Sequence, residues 1–328
     1  MEELLKTIND CSSLGFEYAP TSEVPSAYKA DPNLTYESRK NKKGKIIETC
    51  VLFVDIRDSV KLVDKHQFDT MGKIYTAFTK SVLRIADYHG AKVRNIIGDR
   101  VMVVFPSENC FTKAVRCAIS INHIAKEINR IFDHVDFRCG IGVDFGEMRI
   151  IKVGTEKKGD ENANYKNLIW VGYPANKASR LTDVANKKIE EEYFIVTRHP
   201  INPKAVQPLF EYLPFLGSLT GSSFNPNAPL YLNTKETVEM SVEDFANSIC
   251  QFDDGSLYSS GGKNIKFEKK KRNRVYKPVL ISKSVFDGYK KANPHAADVV
   301  NSWWNPQPKG IKNISEDVYG SGITWKIE

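Results

Sequence analysis

From Cys50 onward the hydrophobic period of the chain switches in an order that few folds accept. CVLFVDI reads as a strand, Val60 to His89 repeats at helical spacing, KVRNIIG and VMVVF are short apolar strands, Phe111 to Val135 is helical again, and RCGIGVD returns to a strand. The order βαββαβ, with its β-α-β unit repeated, predicts an α+β chain built on a ferredoxin-like antiparallel sheet with helices on one face. A further hairpin, EMRIIKV and KNLIWVG around the polar loop GTEKKGDENANY, leads into a helix that starts near Pro174 and carries Asn176 and Arg180.

After YFIVTR the pattern fades. Residues 199–276 hold six prolines and many Ser, Asn and Gly with weak periodicity, which predicts an inserted irregular segment of unreadable role. Order returns with KPVLISKS, a strand then a helix, and GSGIT with WKIE is expected to complete the sheet. The chain therefore divides into an N-terminal extension (1–47), a main domain in two pieces (48–198 and 277–328) and an insertion (199–276).

With 41% apolar and 27% charged residues the chain can bury a sizeable core. It has no run of about 18 apolar residues, and MEELLKTIND lacks the order of a signal peptide, so a cytoplasmic protein without a membrane partner is expected. The net charge of +7 is concentrated in residues 263–277, leaving 39 basic and 39 acidic residues elsewhere. One polar tract is not a basic face, and the sheet lacks an aromatic RNP1 pattern, so a nucleic-acid partner is not expected. Six cysteines without a C-x-x-C pair read as reduced thiols, and the scattered histidines give no zinc signature.

Two constellations carry chemistry. Asp55 ends an apolar strand in VLFVDIRDS, and Asp99 sits in the turn of NIIGDRVMVVF; in a ferredoxin-like sheet these places adjoin. Convergent carboxylates suit hard divalent cations, which can activate a hydroxyl and hold a triphosphate. Asn176 and Arg180, four residues apart on one helix, share a face and can reach one pentacoordinate phosphate.

FVDIRDS, IGDRVMVVF and VGYPANKASRL, in this order and at these separations, resemble the metal, hairpin and transition-state motifs of class III nucleotidyl cyclases. The resemblance implies that Asp55, Asp99 and the Ile56 carbonyl bind two Mg²⁺ or Mn²⁺ ions. It also implies that Asn176 and Arg180 act in the transition state, that Lys309 holds the triphosphate with Lys312 as a competitor, and that a head-to-tail homodimer forms composite sites. The purine-reading pairs of the family are absent: Asn95 and Ile169 stand at those positions, or Arg94 if the register is one residue earlier. An amide at 95 suits uracil or cytosine by rotation.

ETCVLFVDIRDS and RNIIGDRVMVVF, with the short N-terminal extension, further resemble the pyrimidine cyclases of bacterial Pycsar antiphage systems. That resemblance implies cyclic UMP or cyclic CMP as product, with UTP favoured by frequency in the family, and a separate cyclic-nucleotide-activated effector. It marks Arg57 and Arg100 as shared residues, expected at the substrate with Ser59. The chain departs from the wider family at Asp58, Ser59 and Val60, where Gly-Phe-Thr is common; Asp58 is expected to pair with Arg57 or Arg100, or to be a third metal ligand. The remaining alternatives are an adenylate cyclase with an atypical base pocket and a non-catalytic nucleotide-binding module.

Overall fold

The computed structural model describes residues 2–35, 41–154, 156–157, 160–161, 167–205, 225–259 and 261–326. In chain order the elements begin with α1 (Glu2–Ser12), β1 (Gly15–Pro20), β2 (Asn41–Ile56), α2 (Ser59–Lys65), α3 (Phe68–Tyr88), β3 (Lys92–Ile97), β4 (Arg100–Val104), α4 (Cys110–Ile131) and β5 (Cys139–Val153). There follow β6 (Glu156–Lys157), β7 (Asp160–Glu161), β8 (Asn167–Val171), α5 (Tyr173–Val184), β9 (Lys188–Pro200), β10 (Glu236–Ser241), α6 (Val242–Ser248), β11 (Cys250–Gln251), β12 (Leu257–Ser259) and β13 (Gly262–Val275). The last are β14 (Val279–Ser282), α7 (Lys283–Ala292), α8 (Ala297–Val300), β15 (Asn305–Pro306) and β16 (Val318–Ser321).

Two units emerge, Met1–Lys187 with Val275–Glu328, and Lys188–Arg274. In the first, the strands β5-β2-β4-β3 lie in that order with antiparallel neighbours, which is the ferredoxin-like arrangement of the βαββαβ pattern. β14, β16 and β15 extend the sheet beyond β5, β8 pairs with β5, and β1 runs parallel to β2. The strand completing this edge is Val318–Ser321; of WKIE only Trp325 and Lys326 lie among the described residues, and they form no strand, Trp325 instead donating its indole N–H to Ser120 Oγ at 2.9 Å. The expected Val60 to His89 helix is broken at His66 and Gln67 into α2 and α3.

The period of two in β2 makes two cores. Cys50, Leu52, Val54 and Ile56 face α3 and α4, while Ile47 and Val51 face a second cluster with Met102, Val104, Met148 and Ile150. Asp55 falls on the second face, where α5 lies. Helix α5 reaches the sheet closely: the hydroxyl of Thr182 donates to the Phe53 carbonyl at 3.1 Å. Gly140 and Gly142, two apart on β5, make this approach possible. A Cβ at 142 would overlap the Ala178 carbonyl of α5, and one at 140 would overlap the Arg57 guanidinium.

In the second unit β10-β9-β13-β12-β11 form a five-stranded sheet, so the described part of the segment expected to be irregular is a sheet that also takes in YFIVTR. Its pattern is masked because charged residues pair across strands. Glu192 meets Lys269 at 2.6 Å, Glu190 meets Lys271 at 2.8 Å, and Arg272 bridges Glu191 and Glu239 at 2.8 and 2.6 Å. Lys269, Lys271, Arg272 and Arg274 of the basic tract are thus matched by the acidic β9, while Lys266 and Lys270 pair with Glu268 on their own strand. Residues 206–224 and 260 of the expected insertion lie outside the described residues.

Gly142→Ala is expected to destabilise the first unit by about 1–3 kcal/mol, the range for overpacking a filled site, measured by denaturant unfolding. Unchanged stability would contradict the direct seating of α5 on β5.

Candidate active site

Val54 of β2 pairs with Val101 of β4, so Asp55 lies next to Arg100 and one residue from the β3–β4 turn that holds Asp99. Gly98 takes φ 59°, a left-handed conformation that glycine adopts freely, and tightens this turn. Both carboxylates act on the same group: burial, then Asp99 and finally Asp55 push the Tyr75 phenol of α3 upward, against a hydrogen bond with Ser59. Tyr75 was not singled out in the sequence, where it reads as one more helical core position. Ser59 therefore lies against Tyr75, and Asp55 and Asp99 are near enough for their charges to act on it. Carboxylate oxygens, with the Ile56 carbonyl adjacent in the chain, are the donor chemistry that Mg²⁺ and Mn²⁺ take, so the residues fit such ions. Among the described residues no group of three or more His, Cys, Asp or Glu that could hold a metal ion occurs, here or elsewhere, so two carboxylates and a backbone carbonyl are the donors at this place.

The two arginines differ from expectation. Arg57 is 3% exposed and spends its guanidinium on partners within its own chain: Nε donates to the Ala185 carbonyl at 2.8 Å, Nη2 donates to the Thr182 carbonyl, and Nη1 reaches Asp55 Oδ2 at 3.5 Å. It caps the C-terminal end of α5, where helix carbonyls lack partners and a cation is favoured. Burial pulls its pKa down, with Asp55 opposing. Arg100 donates from Nη1 to Ser179 Oγ at 2.9 Å and from Nη2 to Asp55 Oδ2 at 3.0 Å and Asp183 Oδ1 at 2.5 Å. Asp58 pairs with neither: it bonds Arg138 at 3.0 Å and Lys61 at 3.3 Å. It stands at φ 54°, a left-handed conformation that glycine adopts freely and aspartate tolerates.

Asn176 and Arg180 line a pocket of about 640 Å³ with Asp144, Glu147, Lys177 and the loop Asn313–Glu316; neither Asp55 nor Asp99 borders it. Lys177 bridges Glu316 at 2.5 Å and Asp144 at 3.7 Å. Lys309 lies on the loop that leads to this edge, 78% exposed, and pairs with Asp317 at 3.3 Å.

Asn95 is exposed at the rim of a cleft of about 420 Å³ lined also by Tyr28, Arg94, Asn167, Leu168 and Trp170. Ile169 is not part of it, because alternation along β8 puts Leu168 and Trp170 on the cleft side and Ile169 opposite. Arg94 Nε and Trp170 Nε1 are buried in this cleft with no hydrogen-bond partner among the described residues. Sequence reasoning reached Arg94 as a register alternative and missed Trp170; its place one residue after Ile169 was the available signal.

No family model matches the chain. Among curated proteins it is 29% identical over 192 residues to a uridylate cyclase of Burkholderia cepacia, covering 57% of this chain and 78% of that one. It is 24% identical over 210 residues to a uridylate cyclase of Gulbenkiania mobilis, covering 60% of this chain and 76% of that one. Among solved structures it is similar to the adenylyl cyclase CyaB from P. aeruginosa, with 12% identity, TM-score 0.46, and coverage of 84% of this chain and 94% of that chain. It is likewise similar to the guanylyl cyclase Cya2, with 18% identity, TM-score 0.38, and coverage of 43% and 71%.

Asp144 gives the Asn176 and Arg180 pocket a pH signature. Burial holds its carboxyl above the usual range, opposed by a Ser282 hydrogen bond and the charge of Lys177. Folding therefore favours its neutral form, and that contribution is complete below the unfolded carboxylate range and lost as pH rises through the folded value. Asp144→Asn is expected to raise Tm at neutral pH and to give no gain below about pH 3.5, under the unfolded aspartate value. A lower Tm at neutral pH would contradict this.

Proposed function

We propose that this chain, a homologue of the class III nucleotidyl cyclases, is a pyrimidine nucleotidyl cyclase that converts UTP, in preference to CTP, to its 3′,5′-cyclic monophosphate and diphosphate. One observation carries the reading: Asp55 and Asp99 converge at adjoining strand and turn ends beside Tyr75, in a chain whose α5 presents Asn176 and Arg180 to one pocket. The similarity to proteins named uridylate cyclase supports the base class.

In the reaction the ribose 3′-oxygen attacks the α-phosphorus, and the bond from that phosphorus to the bridging oxygen breaks. Diphosphate leaves with the electron pair, and the hydroxyl proton passes to solvent. Two Mg²⁺ or Mn²⁺ ions, when bound, supply a lowered hydroxyl pKa and neutralisation of the leaving group. Asp55, Asp99 and the Ile56 carbonyl hold the ions. Arg180 offsets the charge that develops on the α-phosphoryl oxygens, and Asn176 orients the ribose for in-line attack. Lys309 and Ser59 steady the triphosphate.

The separation of the Asn176 and Arg180 pocket from Asp55 and Asp99 within one chain supports a head-to-tail homodimer, in which each site takes its carboxylates from one copy and its helix pair from the other. The cleft beside Asn95 supports uracil over cytosine if one of its donors faces position 4 of the base. Arg94 Nε–H and Trp170 Nε1–H can only donate; O2 accepts in either pyrimidine and N3 in cytosine, but position 4 is a carbonyl acceptor in uracil and a donating amino group in cytosine. The product would be a cytoplasmic second messenger in Pycsar-type antiphage defence, acting on a separate cyclic-nucleotide-activated effector.

Incubated with ATP, GTP, CTP or UTP and Mn²⁺, the purified protein is expected to make cyclic UMP as its main product, identified by chromatography against standards. Asp99→Ala should abolish turnover without dissociating the dimer. Cyclic AMP as the main product, or full activity in Asp99→Ala, would overturn the reading. Trp170→Phe, which removes one donor and little volume, is expected to lower kcat/KM for UTP about tenfold and to narrow the UTP to CTP ratio, within the range for an unpaired polar contact. An unchanged ratio would remove Trp170 from base recognition.

A further inference from the structure

Helix α5 carries residues for two tasks along one stripe of its surface, at i, i+3, i+4 and i+7 from Asn176. Asn176 and Arg180 line the pocket edged by Asn313–Glu316, while Ser179 and Asp183, one turn apart, hold Arg100. At its C-terminal end the carbonyls of Thr182 and Ala185 hold the buried Arg57. Both arginines also meet at one atom outside the helix. Arg100 Nη2 lies 3.0 Å and Arg57 Nη1 3.5 Å from Asp55 Oδ2, and Asp55 Oδ1 takes part in neither bond. The carboxylate that ends β2 is therefore fastened to α5 of its own chain by two guanidinium groups.

We propose that Arg100, backed by Arg57, is a positioning residue that makes Asp55 and α5 one mechanical unit, so that the state of one composite site sets the position of Arg180 in the other. The inference rests on the shared-site homodimer proposed above. In that dimer Asp55 of one chain serves the first site, and Arg180 of the same chain serves the second. The link between them within the chain is therefore a link between sites.

The physical means are on both sides of Arg100. A planar guanidinium bonded to two carboxylates and a hydroxyl is held in orientation as well as by charge, which a lysine ammonium does not reproduce. A dication at Asp55 repels Arg100, whose other anchors, Ser179 and Asp183, both lie on α5, so the push is delivered to the helix. Arg57 cannot yield in step: it is buried under Gly140, where a Cβ would already overlap it, and its charge needs the partners it has. The helix pivots against a fixed C-terminal cap.

Mixed dimers test this. An Asp99→Ala chain paired with an Arg180→Ala chain keeps one intact site, with its carboxylates from the second chain and its helix pair from the first. Arg100→Met is then placed only in the Asp99→Ala chain, whose own carboxylate site is already dead. The working site is expected to lose about tenfold or more in kcat, as outer-shell partners typically do, while its KM for UTP and its Mn²⁺ requirement stay unchanged. Arg100→Lys in the same chain should restore part of the loss. Independently of activity, Mn²⁺ added without nucleotide should change hydrogen exchange of the α5 amides in the unmodified homodimer and not in the Arg100→Met homodimer. An unchanged kcat, or α5 exchange that answers Mn²⁺ equally in both homodimers, overturns the coupling. Mixed dimers that are inactive before Arg100 is altered would instead overturn the shared-site reading, and the coupling with it.

Discussion

A buried guanidinium organises the face of this protein that carries the candidate site. Arg57 is held where an isolated charge would be prohibitive, and it persists because the unpaired carbonyls at the end of α5 and the Asp55 carboxylate surround it. Three features depend on that one placement. Gly140 must lack a side chain, α5 must end at the place where its carbonyls meet the guanidinium, and Asp55 must present one oxygen toward the arginines. Gly142 then lets the helix lie on the strand without a spacer. The close approach of α5 to the sheet follows from small residues and a buried charge, with Pro174, Ala178 and Leu181 buried beneath the helix.

The sequence was most legible where side-chain period and backbone role coincide. β2 alternates between two cores, so its strand character, its neighbours and the position of Asp55 at its end could all be derived from spacing. The turn at Gly98 and Asp99 was equally readable, because glycine followed by a carboxylate between two apolar strands has few uses. The chemistry of Arg57 was not legible. Its motif neighbours suggested a substrate contact, and only the helix that arrives from about 125 residues later reveals it as a cap. Tyr75, Arg94 and Trp170 share that limit: their roles depend on partners brought by folding, or on the lack of one.

The second unit shows the opposite case. Glu190, Glu191 and Glu192 on β9 and Lys269, Lys271, Arg272 and Arg274 on β13 look like separate solvated charge runs in the sequence, yet they pair across neighbouring strands. Burial raises the Glu191 carboxyl, but hydrogen bonds from Arg272 and Arg274 win and lower it. Hydrophobic periodicity cannot announce strands whose register is fixed by opposite charges. The same pairing removes the main argument for a free polyanion-binding tract, since much of the basic excess is matched within the unit.

In the proposed dimer one nucleotide is held by the carboxylates of one copy and the helix pair of another. A crystal structure with Mn²⁺ and 3′-deoxy-UTP, which lacks the attacking hydroxyl, tests it directly. The account predicts Asp55 and Asp99 of one protomer and Asn176 and Arg180 of its partner on the same triphosphate, with the uracil against Trp170. A nucleotide gripped by all four residues of a single chain, or bound away from Asp55 and Asp99, would contradict it.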